Sequence, residues 1–385
     1  MHPPDSWPDP VALTQALIRC PSVTPLDEGA LDVLQGALAA LGFTCTRLKL
    51  GHPPDGPVDN LIATIAGEAG PHFAFAGHSD VVPAGDLGGW SEDPFAGVVK
   101  DGFIVGRGAA DMKGAIAAMV AASARHLARG PLKGRLTFII TGDEEGPATF
   151  GTAPLLDWLE AQGLVPDLCL VGEPTSQQRL GDMMKIGRRG SLNAWITVNG
   201  AQGHVGYPHQ ADNPITRLVA ILAELKARVL DEGNAWFQAS NLEITDVSVG
   251  NPATNLIPAQ ARARINIRFN NEHSGAALSD WIRSVVSAHA PANQVDIRIS
   301  GEAFLTEPGA LSSLVSAAIS DVTGHTPELS TTGGTSDARF IRRLCPVVEF
   351  GLPGQSMHKV DETAAVADVM GLAAIYEAVL ARALV

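Results

Sequence analysis

Continuous apolar runs along the chain alternate with segments in which apolar residues recur every three or four positions. This alternation predicts an α/β protein. Helical spacing occupies 10–19 and 28–41, and extended runs follow at 43–50, 60–65 and 72–76. The Ala- and Met-rich stretch 112–128 predicts a long helix. RLTFIIT (135–141) and DLCLV (167–171) are short unbroken apolar runs, the pattern of strands buried on both faces. The pattern changes after residue 190. SLNAWITV (191–198) and ARARINIRF (261–269) alternate apolar and polar residues, as half-buried antiparallel strands do. With a strand at 241–249, helices at 214–230 and 275–288, and a last strand at 294–299, the order is β-α-β-β-α-β, a ferredoxin-like unit. A buried-strand pattern returns at 346–350, before a final helix at 363–384. The expectation is an α/β domain formed by 1–182 and 299–385, with an α+β domain inserted at 183–298.

Length and composition narrow the picture. The 385 residues exceed what one core ordinarily holds, which favours two domains. A net charge of −14 makes nucleic acid and anionic membrane poor partners. No apolar run reaches the length of a membrane span, and MHPPDSWPDP lacks the basic and apolar regions of a signal peptide. Cys20, Cys45, Cys169 and Cys345 are far apart and read as free, buried thiols of a reducing compartment. The cytoplasm is the expected location.

The ionisable residues fall at strand ends. The run 72–76 is followed by His78 and Asp80, the run 135–141 by Asp143, Glu144 and Glu145, and the run 167–171 by Glu173. His358 follows the run 346–350, and Asp111 precedes the long helix in GRGAADMKG. Singly, each has an ordinary structural reading: a turn, a solvated loop or, for Asp111, a helix cap. Jointly they occupy the carboxyl ends of strands, where open α/β sheets bind ligands. Imidazoles and carboxylates without a cysteine suit Zn²⁺, Co²⁺ or Mn²⁺. Several carboxylates in one pocket repel one another, and two divalent cations would neutralise them. GRGAAD (106–111) approaches a dinucleotide fingerprint, but its last position is Asp111, which would repel a pyrophosphate. GHSDV (77–81) ends in Val81 and is no nucleophile elbow.

GHSDVVPAGD (77–86), GRGAADMKG (106–114), TGDEEG (141–146), VGEPT (171–175) and MHKVDE (357–362) resemble the five metal motifs of the M20 co-catalytic zinc peptidases and amidohydrolases. The resemblance covers nearly the whole chain. It implies a mixed-sheet catalytic domain with an inserted ferredoxin-like lid through which homodimers form. It also implies two Zn²⁺ per subunit, for which Co²⁺ substitutes, bridged by Asp111. His78 and Glu173 complete one site; Glu145 and His358 complete the other. Glu144 is the implied general base toward a water between the zincs, Asp80 the acceptor for the second ring nitrogen of His78, and the Asp111–Met112 peptide is implied to be cis.

GRRGSLNAWITVNGAQGHVGYPHQADNP (187–214) and TTGGTSDARFI (331–341) are similar to the members that cleave N-succinyl-LL-2,6-diaminopimelate to succinate and LL-2,6-diaminopimelate, in lysine and diaminopimelate biosynthesis. For that substrate the resemblance places Arg188, Ser191, Tyr207, Asn255, Arg268, Gly334 and Thr335 in contact with the ligand. His204 is the lid residue that reaches the partner's active site. One position departs from the pattern: Gly354 stands where an Asn is common, four residues before His358. The competing readings are an N-acetylornithine deacetylase or another M20 aminoacylase, and a non-catalytic metal-binding protein.

Overall fold

Apolar runs from the N-terminal half and from the last third of the chain assemble into an eight-stranded sheet. Read across, its strands are Thr44–Leu50, Val58–Ala66, Lys133–Thr141, Glu68–His78, Leu168–Val171, Val347–Glu349, Met183–Lys185 and Glu328–Ser330. The structure, a computed structural model, describes residues 8–385. The signal-peptide reading of the first ten residues falls mostly outside that range. No helix among the described residues is long and apolar enough to cross a membrane.

The chain divides into two units. The first comprises the chain up to Ile186, with Thr306–Ser330 and Ser336–Val385. Its four central strands, from Lys133–Thr141 to Val347–Glu349, run parallel, and the flanking pairs include antiparallel ones, so the sheet is mixed. Parallel strands buried on both faces need covering layers. The helix Gly114–Leu127 is buried along Gly114–Ala124, where small Ala side chains permit close approach, and it packs on Val366–Ala383. Phe75 packs against Phe73, Phe138 and Tyr376, and the Tyr376 hydroxyl donates to the Phe350 carbonyl at 2.6 Å. The four cysteines are free; Cys169 and Cys345 are buried, whereas Cys20 and Cys45 are only half-buried.

Several boundaries differ from the sequence expectation, among them those of the inserted unit, expected at 183–298, and three of the element boundaries have a plain physical reason. The strand expected at 72–76 runs over Glu68–His78, because parallel pairing with Lys133–Thr141 continues to His78. The helix expected from 112 starts at Gly114, because Asp111 and Met112 hold non-helical backbone angles across a cis peptide. The helix expected from 363 starts at Val366, because Thr363–Ala365 pairs with Phe103–Val105. The helices Thr152–Ala161 and Ala310–Thr323 have no counterpart in the pattern-based reading.

The second unit is Gly187–Leu305 with Thr331–Thr335. Its antiparallel sheet has the order Asn241–Ser248, Gln260–Phe269, Gly190–Asn199, Asn293–Gly301. With the helices Pro214–Ala227 and Gly275–His289 this is the ferredoxin-like arrangement. Leu218, Ile221, Leu225, Ile282 and Val286 of the helices bury against Leu192, Ala194, Ile196, Ile265 and Ile267 of the strands. Asn213 and Ser274 cap the two helices with side-chain oxygens. The other face of the sheet carries the polar alternates of the strands, among them Asn193, Asn266, Arg264 and Arg268.

Candidate active site

The parallel strands of the first unit deliver their C-terminal residues to one place. His78 ends one strand, Asp143–Glu145 follow the next, and Glu173 follows a third. Asp111 enters from the turn before the helix Gly114–Leu127. His358 enters from a loop in which it holds a left-handed φ of 62°. The Ser356 hydroxyl closes that loop, donating to the Thr363 carbonyl and accepting the Thr363 N–H.

Asp111 is the centre of the cluster. Its Oδ1 lies 3.1 Å from His78 Nε2, and its Oδ2 lies 3.2 Å from His358 Nε2. His78 Nε2 is 3.8 Å from Glu173 Oε1, and His358 Nε2 is 2.9 Å from Glu145 Oε1. Each oxygen of one carboxylate therefore faces a different imidazole, and each imidazole has its own second carboxylate. Ligand atoms of His78, Glu144 and Glu173, and those of His78, Asp111 and Glu145, lie within 4.8 Å of one another. Hard oxygen donors with imidazole nitrogen fit a divalent transition ion, and like charges at this density fit a cation better than solvent.

One expectation is corrected. His78 Nδ1 donates to the backbone carbonyl of Asp80 at 2.9 Å, not to its carboxylate, whose nearer oxygen is 3.7 Å away. The carboxylate is turned toward other donors: the Thr24 hydroxyl and the backbone N–H groups of Glu144 at 3.3 Å and Glu145 at 3.1 Å. Asp80 thus orients the imidazole through its main chain and the Glu144–Glu145 loop through its side chain. With Nδ1 committed as donor, Nε2 keeps its lone pair toward the cluster.

The electrostatics follow from crowding. Burial works against ionised Asp111, yet hydrogen bonds and charge from His358 and His78 hold it well below the usual carboxylate range. Hydrogen bonds to Asp111 and Glu145 push His358 up to about 10. For His78, burial opposes the proton, but Asp111, Glu173 and Asp80 outweigh it and the shift is upward. Burial, with the charges of Glu173 and Asp337, pushes Glu144 well above its ordinary value. These shifts all trace to carboxylates and imidazoles crowded into one place.

The remaining predicted residues belong to the second unit. Arg188 is buried, and its Nη1 donates to the Thr332 carbonyl at 3.3 Å. Ser191 pairs in register with Arg268, whose Nε donates to Asn266 at 3.2 Å. His204 and Tyr207 are exposed neighbours on a turn in which the Gly206 N–H donates to His204 Nδ1 at 3.0 Å. The Asn255 carbonyl accepts from Val205 N at 3.0 Å. Gly334 and Thr335 lie in the 331–335 segment of this unit.

The sequence pattern does not single out several buried charged residues, among them Glu362, Arg107 and Asp337. Glu362 and Arg107 form an ion pair of 2.7 Å. Asp337 is 4% exposed, and burial pushes it up to about 6 against the pull of Arg339. All three lie inside the quoted motifs. The signal available was a charge in a segment already dense in site residues.

A model of the peptidase family M20/M25/M40 matches residues 74–382. The chain belongs to that family. It is 63% identical over 369 residues to the succinyl-diaminopimelate desuccinylase of Rhizorhabdus wittichii, covering 96% of each chain. The M20 fold recurs in the aminopeptidase PepT of Bacillus cereus, with a TM-score of 0.81 at 20% identity over 97% of this chain and 98% of that one. It recurs also in YXEP of Bacillus subtilis, a dinuclear metal-binding peptidase from the M20 family, with a TM-score of 0.70 at 17% identity over 98% of each chain. M20 membership makes the chain a hydrolase, and the cluster around Asp111 is its candidate metal centre.

Proposed function

We propose that this M20 hydrolase cleaves N-succinyl-LL-2,6-diaminopimelate to succinate and LL-2,6-diaminopimelate, a step of lysine and diaminopimelate biosynthesis in the cytoplasm. The observation that carries the reading is the 63% identity, over 96% of both chains, with a relative bearing that activity as its name. The residues of the cluster support it. Asp111 would help hold two divalent cations, zinc in this reading and replaceable by cobalt. His78 and Glu173 would complete one cation site, and Glu145 and His358 the other. When bound, the two cations polarise the scissile amide carbonyl and acidify water.

The protein's own groups handle the proton. Glu144 takes it from the attacking water and returns it to the leaving amine nitrogen. Arg188 and Arg268 pair with substrate carboxylates, for which the guanidinium fork is suited. Ser191, Tyr207, Asn255, Gly334 and Thr335 complete the contacts. The subunits pair through the inserted unit, and His204 stabilises the oxyanion in the partner's site.

The test is hydrolysis by zinc-loaded protein of N-succinyl-LL-2,6-diaminopimelate and N-acetylornithine side by side, with a chelated control and Glu144→Gln. Expected are chelator-sensitive release of succinate with little acetate, and a loss of about 10²–10⁴ in rate for Glu144→Gln with its metal retained. Acetate alone would move the chain to the deacetylases of the family. No hydrolysis with two zincs bound would favour a metal-binding protein. A fully active Glu144→Gln protein would remove Glu144 from the chemistry.

A further inference from the structure

The ion pair Arg107–Glu362 is densely hydrogen-bonded, with only the Arg107 Nε lacking a partner among the described residues. Glu362 is fully buried. Its Oε2 accepts from Arg107 Nη1 at 2.7 Å and from the Gly108 N–H at 3.1 Å. Its Oε1 accepts from the N–H groups of Ala110 and Asp111, both at 3.0 Å. The Glu362 carbonyl accepts the Gly106 N–H at 2.9 Å. On the other side, Arg107 Nη1 donates to the Lys359 carbonyl at 3.1 Å, and Nη2 donates to the Pro83 carbonyl at 3.3 Å. The guanidinium lies 5.3 Å from the centre of the Trp90 ring.

These contacts join three segments, and each segment carries members of the metal cluster. Pro83 lies three residues beyond Asp80 and five beyond His78. Gly108–Asp111 carries the shared carboxylate, and Lys359 follows His358. A buried ion pair is a poor source of net stability, because desolvation offsets the attraction. Hydrogen bonds that orient ligating residues, by contrast, are worth about 10–100-fold in metal affinity.

We infer that Arg107 and Glu362 are a positioning pair for the metal centre, setting the main chain of Asp111 against the loops of His78 and His358. The inference rests on the dimetal reading above. The pair touches no reacting atom and acts only through the ligands. Glu362→Gln keeps the shape of the side chain but puts an amide donor where two donors, Gly108 N–H and Arg107, now point. Arg107→Lys keeps the charge and loses the fork that spans the Lys359 and Pro83 carbonyls.

The experiment is Co²⁺ titration of the apo full-length chain and both variants, followed by calorimetry and by visible absorption, with thermal melts of each. The wild type is expected to take up two Co²⁺ per chain. Both variants are expected to bind cobalt about 10–100-fold more weakly and to show a changed cobalt spectrum well below their melting temperatures. Should Glu362→Gln fail to fold, Arg107→Lys decides by the same readings. A variant with a lowered melting temperature but wild-type cobalt affinity and spectrum would make the pair merely structural and overturn the inference. A wild type that takes up no cobalt would overturn the dimetal reading and the inference with it, and that outcome is visible before any substitution is compared.

Discussion

At the scale of single residues, the site is a problem of charge density. Asp111, Glu144, Glu145, Glu173 and Asp337 are drawn together with two imidazoles in a part of the molecule where Asp111 and Asp337 are buried. Asp337 shows the consequence most simply, because it stands outside the set of candidate ligands. Its carboxyl is raised from 3.8 to about 6, chiefly by burial. Between those values the unfolded chain releases the proton and the folded chain keeps it, so stability falls as pH rises from about 4 to about 6. Below that window the penalty is absent; above it the penalty is complete. Asp337→Asn removes the titration. In metal-free protein its stability relative to wild type is expected to rise across that window by on the order of 1–3 kcal/mol and to level off above it. Denaturant melts at pH 4, 5, 6 and 7 measure this. A difference that does not change with pH would show that Asp337 does not titrate there.

At the scale of elements, short parallel strands supply the ligands and loops of special geometry aim them. The same division holds in the second unit. The strand Gly187–Arg188 pairs with Phe304–Leu305 and presents Arg188 to the segment 331–335. Gly333 holds φ at +105°, and a Cβ there would lie 2.6 Å from Arg188 Nη1. Only glycine combines that backbone with that approach. Gly333→Ala is therefore expected to displace the guanidinium and raise KM for the succinylated substrate roughly tenfold, with kcat changed far less. Steady-state kinetics separate the two. Equal losses in kcat and kcat/KM would mean that Arg188 acts on the transition state rather than in ground-state binding.

At the scale of the whole molecule, the proposal is a homodimer in which His204 serves the partner's site. Neither His204→Ala nor Glu144→Gln homodimers should turn over substrate at an appreciable rate. Refolded together in equal amounts, half of the dimers are hybrids, each with one site holding both Glu144 and the partner's His204. Recovery on the order of a quarter of wild-type activity is expected. Light scattering shows whether the dimer forms. Dimers without recovery would confine His204 to its own subunit or remove it from catalysis.

The pattern along the chain made most strands and helices legible, because apolar periodicity reports which face of an element leaves water. It also located the cluster around Asp111. Ionisable residues next to unbroken apolar runs sit where buried strands end, and strands that run parallel bring those ends to one edge of the sheet. The inserted β-α-β-β-α-β unit was readable for the same reason, its alternation of period two being distinct from the buried runs around it. What the pattern did not contain is the burial of single charges and the direction of single hydrogen bonds. A glutamate in MHKVDE looks the same whether solvent covers it or three backbone N–H groups and an arginine do. A one-dimensional pattern records neither the turn of the Asp80 carboxylate away from His78 nor the closure of Glu362 on the Asp111 loop. The amino-acid sequence by itself thus determined the elements, their order and the kinds of ligand at their ends. Only the tertiary structure decided which oxygen meets which nitrogen, because that depends on distances between segments as much as 270 residues apart in the chain.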